Sequence, residues 1–354
     1  MMALPGTMQR IRLMNLRDMG SFTPISIAFA ALAAVSAGCS SAGSDEVSFV
    51  GPEIDGVRDI RIVNLSDESS RQVLPRAIGL GTAFEWFPDG KRAAVYRGDA
   101  FYVTEVEQDL IGECLTCDFD DFGGFAFSPD GGSIAWPARD GIYLQDIDDY
   151  SLEKVVELDR PAWLSWSPDS KSISFTLRDV RLGIYRLDLE DGSVTPLTDD
   201  ESVSHLAPAY SPARDQIAFH ALDKDGLRLT VMDADGSQMR VVTEWTFGGE
   251  IFDPGLQDPP QWSPDGKQLL YTAASARGDT DIFVVELDTG EVTNLTNLPG
   301  ADKSAVWSAD GRLIAFASHR SGDWEIYVMN ADGGNVRNVS ERPVTPEMNP
   351  QWRP

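Results

Sequence analysis

Trp307-Ser308-Ala309-Asp310-Gly311-Arg312-Leu313-Ile314-Ala315-Phe316-Ala317-Ser318-His319-Arg320-Ser321-Gly322-Asp323-Trp324-Glu325-Ile326-Tyr327-Val328-Met329-Asn330-Ala331-Asp332-Gly333-Gly334 joins an aromatic residue to a tight turn, two β-rich runs and a second turn. Its opening signal recurs along the chain. The other copies are Trp86-Phe87-Pro88-Asp89-Gly90, Phe127-Ser128-Pro129-Asp130-Gly131, Trp166-Ser167-Pro168-Asp169-Ser170, Tyr210-Ser211-Pro212-Ala213, Trp262-Ser263-Pro264-Asp265-Gly266 and the short Trp352-Arg353-Pro354. Successive anchors are 41, 39, 44, 52, 45 and 45 residues apart. That spacing suits four-stranded propeller blades, units that bury their apolar faces only by stacking on one another.

Proline presets φ at the second position of a type I turn, aspartate suits the third, and glycine takes the positive φ that leads into the next strand. Each anchor therefore ends a first strand. Second strands are expected at 92–96, 133–136, 173–175, 216–219, 268–271 and 313–316, where β-branched and aromatic residues dominate. Third strands follow, closed by turns such as Asp288-Thr289-Gly290, and fourth strands such as 239–243 and 291–296 complete each unit.

Residues 47–50, 59–64 and 71–74 look like the second, third and fourth strands of a blade with no anchor before them. The missing first strand is read at 348–352, so the ends of the chain share one blade and close an all-β, seven-bladed β-propeller of four-stranded antiparallel blades. Six blades would follow if the N-terminal strands were only an extension.

The stretch from Trp307 to Gly334 resembles the TolB-type, WD-repeat-like propeller repeat of bacterial envelope proteins, and the resemblance covers residues 47–354. It implies the fold and says little about function, because similar repeats occur in peptidase propellers, sugar-active proteins and lipoproteins. TolB itself carries an α/β domain before its propeller. Here only a few residues separate the export segment from the first strand, so the resemblance is to the propeller rather than to a complete TolB, and a Tol–Pal role does not transfer with it.

Arg10, Arg12 and Arg17 precede the apolar stretch 25–35 and Ser36-Ala37-Gly38-Cys39, the layout of a secretory signal. The stretch is shorter than the roughly 20 residues a spanning helix needs. Its end resembles a bacterial lipobox, with Ser36 where leucine is usual and Ser40 after the cysteine, which in Gram-negative bacteria resembles outer-membrane sorting. Residues 1–38 are expected to be a signal peptide, 39–46 a tether lipidated at Cys39, and 47–354 the propeller, held in the cell envelope and, in a Gram-negative host, on the periplasmic face of the outer membrane.

The chain has 29 Lys+Arg against 56 Asp+Glu, and the propeller without Arg10, Arg12, Arg17 and Asp18 would carry −29. Such a surface repels phosphate backbones and anionic headgroups, so nucleic acid is excluded as a partner and membrane contact is expected only through the anchor. Besides Cys39 there are Cys114 and Cys117, an even pair in an oxidising compartment, read as a local disulfide. The alternatives lack support: zinc would need two more ligands, and His205, His220 and His319 lie in other blades.

There is no Gly-x-Ser-x-Gly elbow, no His-Glu-x-x-His and no Walker loop. Asp223-Lys224-Asp225-Gly226 and Asp233-Ala234-Asp235-Gly236 fall where hairpin turns are needed and lack the distal glutamate of a calcium loop. Asn64-Leu65-Ser66, Asn294-Leu295-Thr296 and Asn338-Val339-Ser340 have the form of glycosylation sequons, without meaning for a bacterial protein.

In propellers the loops entering the innermost strands ring the channel mouth. The candidates there are Glu85, Trp163, His205, Asp258, Asp302, Lys303, Glu347 and Asn349. The 52-residue interval also holds an insertion, 244–256, with Trp245, Phe247 and Phe252 as a candidate partner loop. These readings combine into a monomeric, non-catalytic, lipid-anchored scaffold of the cell envelope that binds a protein partner, with no cofactor and no metal. The alternative is a carbohydrate-active propeller that binds oligosaccharide or cleaves uronate-containing chains. Lyases with similar repeats use a histidine-rich metal site, whereas only His205 and His220 are expected near one mouth.

Overall fold

The computed structural model describes residues 45–50, 58–78, 84–97, 100–108, 110–117, 124–178, 182–200, 202–224, 226–245, 259–340 and 350–354. They form seven four-stranded sheets, each antiparallel and each one blade of a ring. The inner strands of blades 1 to 6 are Phe84–Trp86, Ala126–Phe127, Pro161–Trp166, Ser204–Tyr210, Gln261–Trp262 and Asp302–Trp307. Blade 7 is stitched as expected: Gln351–Trp352 pairs with Glu46–Val50, followed by Arg58–Asn64 and Ser70–Ile78.

The turn after each inner strand is held at both ends. In blade 2 the Gly131 amide donates to Ser128 O at 2.9 Å. The Ser128 hydroxyl donates to Asp130 at 2.6 Å and accepts the Ser133 amide at 2.9 Å. Ser167, Ser263 and Ser308 repeat both contacts, so this serine is the turn clamp of blades 2, 3, 5 and 6, whereas in blade 1 Phe87 stands there and Asp89 accepts the Lys91 and Arg92 amides. In blade 3, Ser170 replaces glycine and still takes φ +59°.

Outer strands are tied by a second repeated device. The hydroxyls of Thr116, Thr198, Thr296 and Ser340 accept third-strand amides of Phe101, Ile184, Ile282 and Ile326. The sequon-like triplets are part of this device or of a turn: Asn294 and Asn338 accept the amides of Thr296 and Ser340, and Asn64 accepts that of Ser66.

The apolar core is a ring of clusters lying between adjacent blades. Phe87, Phe101, Phe125, Phe127 and Trp136 fill the seam of blades 1 and 2, with ring centroids as close as 4.8 Å. One larger cluster joins blade 7 to both neighbours through Val47, Phe49, Ile62, Trp86 and Val306.

Three anchor tryptophans also bolt blades together. The indole N–H of Trp166 donates to Ala126 O at 2.9 Å, that of Trp262 to Ala209 O at 2.9 Å and that of Trp352 to Val306 O at 3.2 Å. Each reaches back to the inner strand of the preceding blade. A buried indole N–H needs such a partner, because leaving it unmade costs about 1–3 kcal/mol.

Candidate functional site

Every inner strand runs the same way through the ring, from the end where the chain crosses between blades to the end carrying the serine-clamped turns. The ring therefore has a crossover mouth and a turn face. In blades 3, 4 and 6 the inner strand shifts register between Ala162 and Ser165, Leu206 and Ala209, and Lys303 and Val306. At each shift a non-glycine residue three places before the anchor is left-handed: Trp163 at φ +50°, Ala207 at +53° and Ser304 at +54°. A bulge of this kind bends a strand and re-aims its side chains, and here it does so just inside the crossover mouth.

Blade 6 concentrates chemistry there. Asp302, 1% exposed, accepts from Arg320 at 3.2 Å. Burial pushes the Asp302 carboxyl up, against the hydrogen bonds and the Arg320 charge that favour its ionised form. The Arg320 guanidinium in turn lies over the rings of Tyr327 at 4.8 Å and Phe316 at 5.2 Å. On the neighbouring residue, Lys303 stacks its ammonium 4.6 Å from the centre of Trp324, whose edge meets His319 at 5.5 Å. Asp302 is thus engaged by arginine, while Lys303 and Trp324 are half-buried, Trp324 against the cluster that joins blade 7 to its neighbours, and His319 is exposed.

Blade 5 has an arginine in the corresponding loop, but its carboxylate partner stands on the third strand. Arg277 holds the fully buried Asp281 at 2.8 Å and also donates to Leu298 O at 2.9 Å. In blade 4, His205 sits at the same rung as Asp302, five residues before the anchor, edge-on to Phe219 at 5.5 Å. Burial pushes its imidazole pKa down, opposed by Asp200 and Asp199, so it is held toward the neutral form.

Of the residues singled out in the sequence, Asp302 and Lys303 lie together, His205 lies two blades away on the same rung, and Trp163 is itself the bulge residue of blade 3. Glu85 stands elsewhere. It directly precedes Trp86, at the position that Gln351 holds on blade 7, and is 8% exposed. Gln351 bridges to blade 1, donating to Phe84 O at 2.9 Å and accepting the Trp86 amide at 3.4 Å. Burial pushes the Glu85 carboxyl well up. Trp245 ends the outer strand Arg240–Trp245, opposite Leu227, so the chain leaves the blade after it rather than at Glu244. Cys39, Phe247, Phe252, Asp258, Glu347 and Asn349 lie outside the described residues.

Cys114 and Cys117 are joined, with Cα atoms 5.7 Å apart, around the Leu115-Thr116 pair that ties the outer strand of blade 1. Among the described residues no group of three or more His, Cys, Asp or Glu is placed to hold a metal ion. Arg277, Arg320, His319 and Trp324 were missed by sequence reasoning. Their signal was present in the serine-x-arginine loops Ser275-Ala276-Arg277-Gly278-Asp279 and Ser318-His319-Arg320-Ser321-Gly322-Asp323 of consecutive blades.

Residues 252–354 match the TolB beta propeller domain. An uncharacterized protein of Agrobacterium fabrum is 26% identical over 281 residues, 73% of this chain and 92% of that protein. A TolB homolog of Chlorobium luteolum is 31% identical over 137 residues, 39% of this chain and 29% of its own length, so the chain spans under a third of that relative. Among solved structures, a puromycin-hydrolyzing peptidase of Mycobacterium tuberculosis superposes with a TM-score of 0.65 at 13% identity, covering 92% of this chain and 56% of its own. An oligogalacturonate lyase of Vibrio parahaemolyticus gives 0.64 at 11%, covering 81% and 86%. At such identities the likeness is one of fold.

Proposed function

We propose that this chain, a TolB-type β-propeller, is a binding scaffold of the bacterial cell envelope, held by lipid on Cys39, that takes a protein partner at its crossover mouth. The observation that carries this reading is the stacked cluster of Lys303, Trp324 and the exposed His319 at the mouth of blade 6, beside the Arg320–Asp302 pair. A cation lying on an indole beside an exposed imidazole suits partner side chains with carboxylates or aromatic rings. Further support comes from the relatives: one at 35% identity over 89 residues is named a Tol-Pal system protein TolB, of which this chain covers 19%. Export and lipidation follow from the signal layout before Cys39.

The test is a pull-down from envelope extracts using wild type, the double variant Lys303→Glu/His319→Ala and a deletion of 246–256. The double variant is expected to lose its specific partner at least tenfold while keeping its melting temperature within a few degrees. Retention of every partner by both variants would end the assignment of this mouth. Labelled fatty acid should enter wild type and not Cys39→Ala.

A further inference from the structure

The chain enters the ring at its turn face. The Arg353 amide donates to Glu46 O at 3.1 Å, and the Arg353 side chain donates through Nε to Gly90 O, inside the turn of blade 1, at 2.7 Å. A Cβ on Gly90 would stand 2.8 Å from Pro354 O. Asp45 O accepts the Leu65 amide at 2.7 Å, which fixes the root of the N-terminal segment beside the third-to-fourth turn of blade 7. Lys303, His319 and Trp324 lie at the opposite end of the strands.

From this placement we infer that the anchored propeller turns its turn face toward the bilayer and presents the crossover mouth away from it. The inference rests on the lipid-anchor reading above. Cys39 to Asp45 is six peptide steps, which reach at most about 20 Å. A strand of six or seven residues spans roughly 20 Å. A ring resting on its crossover mouth would hold Asp45 a full strand length above the headgroups, and the tether would run taut along the rim. With the turn face down the span to be bridged is shorter than the six steps can reach, so none of the entropy that stretching costs is lost. The third-to-fourth turns at that end carry the exposed Asp67, Glu68, Asp148, Asp149, Glu190 and Asp191, so against an anionic leaflet the face stands off rather than lies flat. A partner that reaches the mouth therefore comes from the aqueous compartment or from a facing layer, not from the anchoring bilayer itself.

Glu190→Cys and Asp159→Cys place exposed thiols at the turn and crossover ends of blade 3. With Cys114 and Cys117 joined and Cys39 lipidated, a donor dye reacts at the introduced thiol alone. The lipidated protein goes into phosphatidylethanolamine–phosphatidylglycerol vesicles that carry a headgroup-linked energy-transfer acceptor. Transfer from position 190 is expected to be at least twofold higher than from position 159. Equal or reversed transfer on protein that floats with the vesicles would overturn the orientation and leave anchoring intact. Wild-type protein that does not float would overturn both.

Discussion

Blades 6 and 7 are each built of four strands, but blade 6 is one continuous piece of chain and blade 7 is assembled from two ends. In blade 6 the inner strand Asp302–Trp307 is bound to its neighbour by a turn and an extended ladder. In blade 7 the described ladder between the two ends has two positions, Val47 opposite Trp352 and Ser48 opposite Gln351. Side chains supply what the turn would have supplied. At the seam with blade 1, Trp86 does not reach its neighbour's carbonyl directly: its indole donates to Ser48 Oγ at 2.7 Å, and Ser48 donates to Gln351 O at 3.1 Å. One hydroxyl thus joins three strands from three parts of the chain. Around it Arg353 and Arg71 both grip Glu46, at 2.8 and 2.7 Å, and Glu107, at 2.9 and 3.0 Å. Chain continuity in one blade is replaced by polar contacts in the other.

The comparison breaks most completely if 348–352 is deleted. Glu46–Val50 then exposes its inner edge and the large seam cluster loses Trp352. Aggregation or a collapse of the melting transition is expected in calorimetry, whereas melting within a few degrees of wild type would show that the two-position ladder contributes little. Ser48→Ala tests the relay with the strands left in place. It strands the Trp86 indole N–H and a carbonyl, at about 1–3 kcal/mol. Denaturant midpoints should fall accordingly, and a loss under about 0.5 kcal/mol would mean that another partner takes over.

Glu85→Gln sharpens the contrast from the other side, because it gives blade 1 the residue that blade 7 already uses to bridge its seam. The folded-state pKa of Glu85 lies above its unfolded value, so wild-type stability falls as pH rises out of the ordinary carboxylate range. The variant should gain on the order of 1 kcal/mol at neutral pH. That gain should fade in acid, where wild-type Glu85 is protonated in both states; a gain independent of pH would assign it to packing instead.

Glu46→Gln is expected to have the smallest effect. Burial pushes the Glu46 carboxyl up, but hydrogen bonds and charge from Arg71 and Arg353 together hold it below its ordinary range. Its contribution is therefore present at neutral pH and lost as pH falls through the folded-state value. A loss of about 0.5 kcal/mol at neutral pH is expected, with the wild-type and variant curves meeting in acid. Parallel curves would remove charge from the account of closure.

The blades were legible because each is announced locally, by an aromatic anchor and, in most, a serine and a turn within a few residues. The split blade was legible for the same reason: an anchor without a blade stood at one end and a blade without an anchor at the other. The relay through Ser48 was not, since nothing beside Ser48 in sequence marks the two strands it joins. Nor were the bulges at Trp163, Ala207 and Ser304, where an ordinary side chain adopts a conformation that composition does not flag. At the mouth, Asp302 and Lys303 were found by position. What occupies them, Arg320 and Trp324, lies across a hairpin. Glu85 was placed by the same rule, yet it lies at the anchor end of its strand, at an inter-blade position.

The closing contacts also set a timetable. Residues 46 to 78 are among the first of the propeller to leave the ribosome or an export channel, yet Glu46–Val50 has no inner partner until Gln351 and Trp352 arrive. For nearly the whole of synthesis an apolar strand carries an open edge, and blades 1 to 6 accumulate as an arc with two sticky ends. A chaperone that holds that first strand, or delivery of the whole chain before folding begins, would favour a closed monomer over arcs that complete each other between molecules.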